Sequence, residues 1–156
     1  MTLTKNIRDF VGQLVGLKIV SFCCTLDMLD FGFGEDGETG DKMALHAMGL
    51  SRVILDGDIL ITTADYQSWD EIESTNNDEW YNVWRFKDKI IGQTVVSVSV
   101  NELNDLRIVL DGGAVIECLI ANAYPHFSEE LEQWVLFETT GERRMLFAYN
   151  KEIDIN

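Results

Sequence analysis

The chain opens on a helical period and then changes to a period of two. Residues 4 to 14 place Ile7, Phe10, Val11 and Leu14 at i, i+3, i+4 and i+7 with polar residues between them. With Thr2 or Thr4 ahead as an N-cap, this spacing predicts a short amphipathic helix that ends before Gly16. Apolar or alternating runs of strand length follow, separated by Gly and Asp: Ile19 to Cys23, Leu29 to Phe33, Met43 to Ala47, Val53 to Leu55 and Ile59 to Thr63. The second half repeats this character in Thr94 to Val100, Leu106 to Leu110, Ala114 to Ile120, Trp134 to Glu138 and Met145 to Tyr149. Three links read as hairpins: Asp56-Gly57, which favours the positive φ angles of a type I′ turn, Asp111-Gly112-Gly113, and Thr140-Gly141. Short strands joined by tight turns without intervening helices predict antiparallel sheet. A lone proline, Pro125, fits continuous sheet with few rigid loops.

The same pattern contains a weak internal repeat. Leu14-Val15-Gly16-Leu17-Lys18-Ile19-Val20-Ser21-Phe22 aligns with Ile90-Ile91-Gly92-Gln93-Thr94-Val95-Val96-Ser97-Val98. Leu29-Asp30-Phe31-Gly32-Phe33 falls on Leu106-Arg107-Ile108-Val109-Leu110, and Leu45-His46-Ala47 on Ile116-Glu117-Cys118. The expected fold is therefore mainly β (α+β). It is a single domain over 1–156 with two antiparallel β-meander halves, about 12–84 and 88–150, forming a sandwich or curved sheet behind a short N-terminal helix. Strand order is left open by the sequence.

Composition fits one globular domain: 156 residues, 46% apolar and 10% aromatic, enough to bury a core and to exclude an acidic disordered chain. Charge changes the picture more. Asp and Glu number 27 against 12 Lys and Arg, a net charge of −15, which argues against nucleic acid and anionic membrane as partners. Between Lys18 and Lys42 stand Asp27, Asp30, Glu35, Asp36, Glu38 and Asp41 with no base. Between Arg52 and Arg85 stand Asp56, Asp58, Asp65, Asp70, Glu71, Glu73, Asp78 and Glu79, again with no base. Nearly all the net charge lies in these two stretches. The segment from Asp65 to Asn82 is long for a sheet connection, and connections of that length are commonly functional. It is also compatible with a short helix around Ser68 to Glu73.

Motifs for catalysis or cofactors are weak. Cys23, Cys24 and Cys118 are an odd set that does not describe a disulfide framework, so a reducing compartment is expected. Cys23 and Cys24 point to opposite faces of a strand, and no CxxC accompanies them, which disfavours zinc. The Gly-rich acidic segment Phe33 to Asp41 has the composition of a calcium loop without its DxDxDG spacing. His46 and His126 lie in no ligand motif, and there is no GxSxG elbow, GxGxxG or P-loop. No metal or cofactor is called for, and an enzyme would need a pocket joining His46 or His126 to a convergent carboxylate. The N-terminus lacks the layout of a signal peptide and no run reaches a transmembrane span, so a soluble cytoplasmic protein is expected.

Acids interleaved with large aromatics remain. Tyr66, Trp69, Trp80 and Tyr81 sit among Asp65, Asp70, Glu71, Glu73, Asp78 and Glu79. Aromatics of this kind anchor interfaces and carboxylates steer cationic partners, although the same residues could equally serve the core and a solvated face. Leu-Val-Gly-Leu-Lys-Ile-Val at 14–20, Leu-Asp-Phe-Gly-Phe-Gly at 29–34, Ile-Ile-Gly-Gln-Thr-Val-Val at 90–96, Leu-Arg-Ile-Val-Leu-Asp-Gly-Gly at 106–113 and Glu-Gln-Trp-Val-Leu at 132–136 form a pattern across most of the chain. The pattern resembles the small β-rich bacterial immunity proteins of polymorphic toxin and contact-dependent growth inhibition systems. These are scaffold motifs that carry no chemistry. The resemblance implies a cytoplasmic, non-catalytic protein that neutralises a cognate toxin domain, basic and of nuclease type. The expected toxin-facing residues are Asp65 to Tyr81 together with Glu35, Asp36, Glu38 and Asp41. The alternative is a non-catalytic small-ligand or regulatory β-domain, dimeric through an edge strand, whose acids serve solubility. The oligomeric state is not legible.

Overall fold

A computed structural model describes residues 4–25, 28–65, 72–75, 83–123 and 131–156. It is mainly β, with two antiparallel sheets and a short N-terminal helix. Helix α1 spans Lys5–Gly12; Thr4 caps it, its side-chain oxygen accepting from the Ile7 N–H at 3.4 Å. Its apolar stripe, Ile7, Phe10 and Val11, is buried. The chain leaves the helix through Gly16, whose φ of +90° suits glycine.

The strands are β1 (Lys18–Thr25), β2 (Met28–Gly34), β3 (Met43–Ala47), β4 (Leu50–Leu55) and β5 (Asp58–Thr62). After a 3-10 turn at Thr63–Asp65 and helix α2 (Lys87–Ile90) come β6 (Val95–Val100), β7 (Leu106–Leu110), β8 (Val115–Leu119), β9 (Trp134–Glu138), β10 (Met145–Ala148) and β11 (Ile153–Ile155). The compatible helix at Ser68 to Glu73 does not extend to its end: Ile72 and Glu73 are not helical, and 68–71 lie outside the described residues. The Asp56-Gly57 turn has φ of 54° and 84°, the positive pair expected of its type.

Strand order mixes the halves. One sheet runs β1-β2-β3-β9-β10-β11 and the other β5-β4-β8-β7-β6. Each half thus lays down three strands in one sheet and sends its next hairpin to the other. The registers correspond: Leu45 pairs with Leu136, which pairs with Leu146, while Ile116 pairs with Val53, which pairs with Ile61. Bulges fall at matching places, between Ile19 and Ser21 and between Val95 and Ser97. The two starts also bond to each other. Gly16 N donates to Val95 O (2.9 Å) and Gly92 N to Ile19 O (2.8 Å); Ile19 N donates to Gln93 O (3.0 Å) and Val95 N to Leu17 O (2.8 Å). Gly16 and Gly92 share nearly the same positive φ, 90° and 92°. Both sheets feed one core, in which Phe31, Phe33, Leu45, Ile108, Ile116, Trp134 and Leu136 are fully buried.

Candidate functional site

Because β3 pairs with β9, the β2–β3 and β9–β10 turns lie side by side. Thr139 fastens them: its N–H donates to Lys42 O at 2.9 Å and its hydroxyl to Asp41 O at 2.6 Å. The acidic tip, residues 35–41, folds back over β2. A Cβ on Gly34 would collide with the Gly40 carbonyl, so glycine at 34 is what lets the tip close. Glu35, Asp36 and Glu38 are exposed and Asp41 is half-buried.

Charges that are unopposed along the chain are partly opposed in space. Lys18 and Lys42, the two bases that bracket the first acidic stretch, return to its tip: Lys18 Nζ lies 2.9 Å from Asp36 Oδ1, and Lys42 pairs with Glu35. The bond to Glu35 raises the Lys42 pKa. Counting along the sequence misses this, because a hairpin brings its two ends together.

Between the turns lies a cleft of about 700 Å³ lined by Glu35, Lys42, Glu138, Glu142, Arg144 and Gln13, among others. Arg144 grips Glu138 with Nη2 at 2.6 Å, Nε at 3.3 Å and its backbone N–H at 3.0 Å. Those bonds hold the Glu138 carboxyl below the usual carboxylate range against the opposing effect of burial. The Arg144 guanidinium also sits 5.2 Å from the Phe10 ring centroid, tying the turn to α1. The cations named here are engaged by carboxylates, and two of those carboxylates, Asp36 beside Lys18 and Glu142 at 3.7 Å from Arg144, still project with side chains 81% and 83% exposed. Such a surface offers acceptors to Arg and Lys side chains. Sequence reasoning missed Lys42, Glu138 and Arg144; the two adjacent arginines after Thr140-Gly141 were a signal, because Arg144 meets Glu138 across that same hairpin, six residues away.

The second expected region is described only in part. Tyr66, Trp69, Asp70, Glu71, Asp78, Glu79, Trp80 and Tyr81 lie outside the described residues, and Asp65 is placed by its backbone alone, at the end of the 3-10 turn. Glu73 is exposed, as is its neighbour Ile72. At the far end of this region Trp84 is exposed, with Lys87 Nζ 3.8 Å from its ring centroid. Trp84 was also missed, although Trp84-Arg85-Phe86-Lys87 alternates aromatic with cation.

The remaining chemistry is a row across the first sheet. Cys23 Sγ lies 3.5 Å from Asp30 Oδ2, and His46 Nε2 lies 3.7 Å from Asp30 Oδ1. The carboxylate stands between thiol and imidazole, so the imidazole has no line to the sulfur and the order is not that of nucleophile, base and acid. His126 lies outside the described residues. Cys23, Cys24 and Cys118 are not in disulfides, and burial pushes the Cys118 thiol up to about 12. Among the described residues no group of three or more His, Cys, Asp or Glu is arranged to hold a metal ion, and no helix is long and apolar enough to cross a membrane. Comparisons with family models, with curated proteins and with solved structures find no match to this chain.

Proposed function

We propose that the protein is an immunity protein that binds and neutralises a cationic toxin domain of nuclease type, without catalysis. The observation that carries this reading is the acidic tip at 35–41, held beside Glu138 and Glu142, with Lys18, Lys42 and Arg144 already engaged by carboxylates. A nuclease active site is basic because it holds phosphates, and carboxylates presented where phosphates would lie can cover it. The net charge of −15 adds long-range steering, which raises the association rate at low salt. The second acidic stretch supplies further toxin contacts in this proposal, namely Asp65, Tyr66, Trp69, Asp70, Glu71, Glu73, Asp78, Glu79, Trp80 and Tyr81, and exposed Trp84 follows it in the chain.

The test is co-purification with the toxin domain encoded immediately upstream, followed by reversing charge at Asp70, Glu71 and Glu73 together. Binding should weaken and its salt dependence flatten. No complex with that domain, or a complex unchanged by the reversal, removes the partner or the surface respectively. The ligand-binding alternative is favoured by one observation: the 700 Å³ cleft falls within the size range of small-molecule sites. Its charged lining suits a polar ligand, and a bound metabolite found in the purified protein would support it.

A further inference from the structure

We propose that the free edge of β6 is a self-association surface on which a second copy of this chain pairs its own β6, antiparallel about Val98. Sheet edges carry unpaired N–H and C=O groups, and natural sheets blunt them with charge, proline or brevity. Three of the four edges here are treated in this way. β1 opens on Lys18 and its start is bonded to residues 92–95, β5 opens on Asp58, and β11 is three residues long around Asp154. β6 carries no charge, no residue between Lys89 and Glu102 being charged in a chain of which 25% is charged, and its cover is confined to its first residue, Val95, which bonds to Gly16 and Leu17. Ser97 and Ser99 are exposed, and Val96 is 55% exposed.

Hydrogen bonding leaves this edge open. Asn101 N donates to Asp105 O at 3.1 Å, within the register that pairs Ser99 with Arg107 and Ser97 with Val109. By alternation, the main-chain groups of Ser97 and Ser99 face β7, and those of Val98 and Val100 face away. The outer side is covered at Val95, whose O accepts from Gly16 N and whose N–H donates to Leu17 O; among the described residues nothing bonds to the outward groups of Val98 and Val100.

The sequence of the edge points to a second copy as its occupant. Val96-Ser97-Val98-Ser99-Val100 reads the same in both directions. A two-fold axis at Val98 sets that residue opposite its own copy, as an outward-facing pair that exchanges two hydrogen bonds. Ser97 then faces the second copy's Ser99. Directly opposite residues of an antiparallel ladder share a face, so Val98 falls on the core side and Ser97 and Ser99 on the solvent side in both copies, while Val96, in the bulge between Val95 and Ser97, is itself exposed and stands outside this alternation. A closed two-fold contact requires this self-complementarity. The core side also has room: a groove of about 300 Å³ lies between Val98 and Val100 of β6 and helix α1, where Ile7 and Val11 line it together with Arg8. Charge selects the same place. Two copies at −15 each repel, and they meet with least repulsion along an uncharged strand.

Sedimentation equilibrium of the full chain at low and high salt tests this. The wild type should form a reversible dimer that tightens as salt rises, the opposite of the salt dependence expected for a cationic partner. S97K/S99K places like charges opposite each other twice and should weaken the dimer by about ten-fold or more, whereas S97K/S99E places opposite charges together and should restore it. Both positions face solvent, and thermal melting checks that the fold is kept. A wild type that stays monomeric at every concentration overturns the proposal. A lysine pair that dimerises like wild type overturns the edge, and a Lys/Glu variant as weak as the lysine pair overturns the register. The wild-type result stands without the variants and is independent of toxin binding.

Discussion

Two rows of side chains occupy matching places on the two sheets and carry opposite electrostatics. Cys23, Asp30, His46 and Val135 follow one another across β1, β2, β3 and β9. Ser99, Arg107, Glu117 and Arg52 follow one another across β6, β7, β8 and β4. The second row is saturated: Glu117, with its side chain 11% exposed, accepts from Arg52 Nε at 2.7 Å and Arg107 Nη1 at 2.5 Å. In the first row Asp30 Oδ1 is buried without a hydrogen bond, its nearest cation-capable group being His46 at 3.7 Å. The turns differ in the same sense. β7 and β8 are joined by a tight Asp-Gly-Gly turn, whereas β2 and β3 carry the acidic tip between them. A shared backbone plan therefore tolerates different surface chemistry, and the first sheet carries the charged tip at its turn.

The comparison can be broken first in the core. Ile116 and Leu45 hold corresponding registers and are both fully buried, so Ile116→Ala and Leu45→Ala should each cost about 2–5 kcal/mol in denaturant unfolding. A large cost for one and almost none for the other would show that the two sheets do not share the core equally. Next come the rows. Glu117→Gln weakens two charge-assisted bonds to partly exposed arginines and should cost about 1–2 kcal/mol, while Asp30→Asn should change stability by about 0.5 kcal/mol or less. Equal costs would erase the distinction between a saturated and an unsaturated row.

The smallest effect is in the acid limb. Arg144 lowers the folded-state pKa of Glu138, so its stabilisation is present above the ordinary glutamate range and is lost as pH falls through the lowered value. Arg144→Gln should lower the melting temperature at neutral pH and converge with wild type in acid. A constant difference across pH would assign the effect to packing against Phe10 instead.

Much of the skeleton was legible because its strands are bounded by strong local signals. Met43–Ala47, Leu106–Leu110 and Trp134–Glu138 have the bounds that their patterns predict, each ending near a turn or a polar break. β11 was not seen: Ile153-Asp154-Ile155 holds two apolar residues and exists by pairing with β10. The exchange of hairpins between sheets was also out of reach, because it depends on where Met48-Gly49 sends the chain after β3, and no periodicity encodes that. The acidic tip was found but its partners were not: the Lys42 bond to Glu35 and the Arg144 bond to Glu138 each close within a single hairpin, seven and six residues apart, so hairpin geometry held that signal, whereas Lys18 meets Asp36 through the longer β1–β2 pairing.

The most direct test is the association rate of the upstream-encoded toxin domain with wild-type protein and with E35Q/D36N/E38Q, measured across a range of salt. The wild-type rate should fall steeply with salt, and the neutralised tip should be slower at low salt with a flatter slope, the two converging when screening is complete. Rates that coincide at every salt concentration would contradict the acidic tip as the surface that meets the toxin.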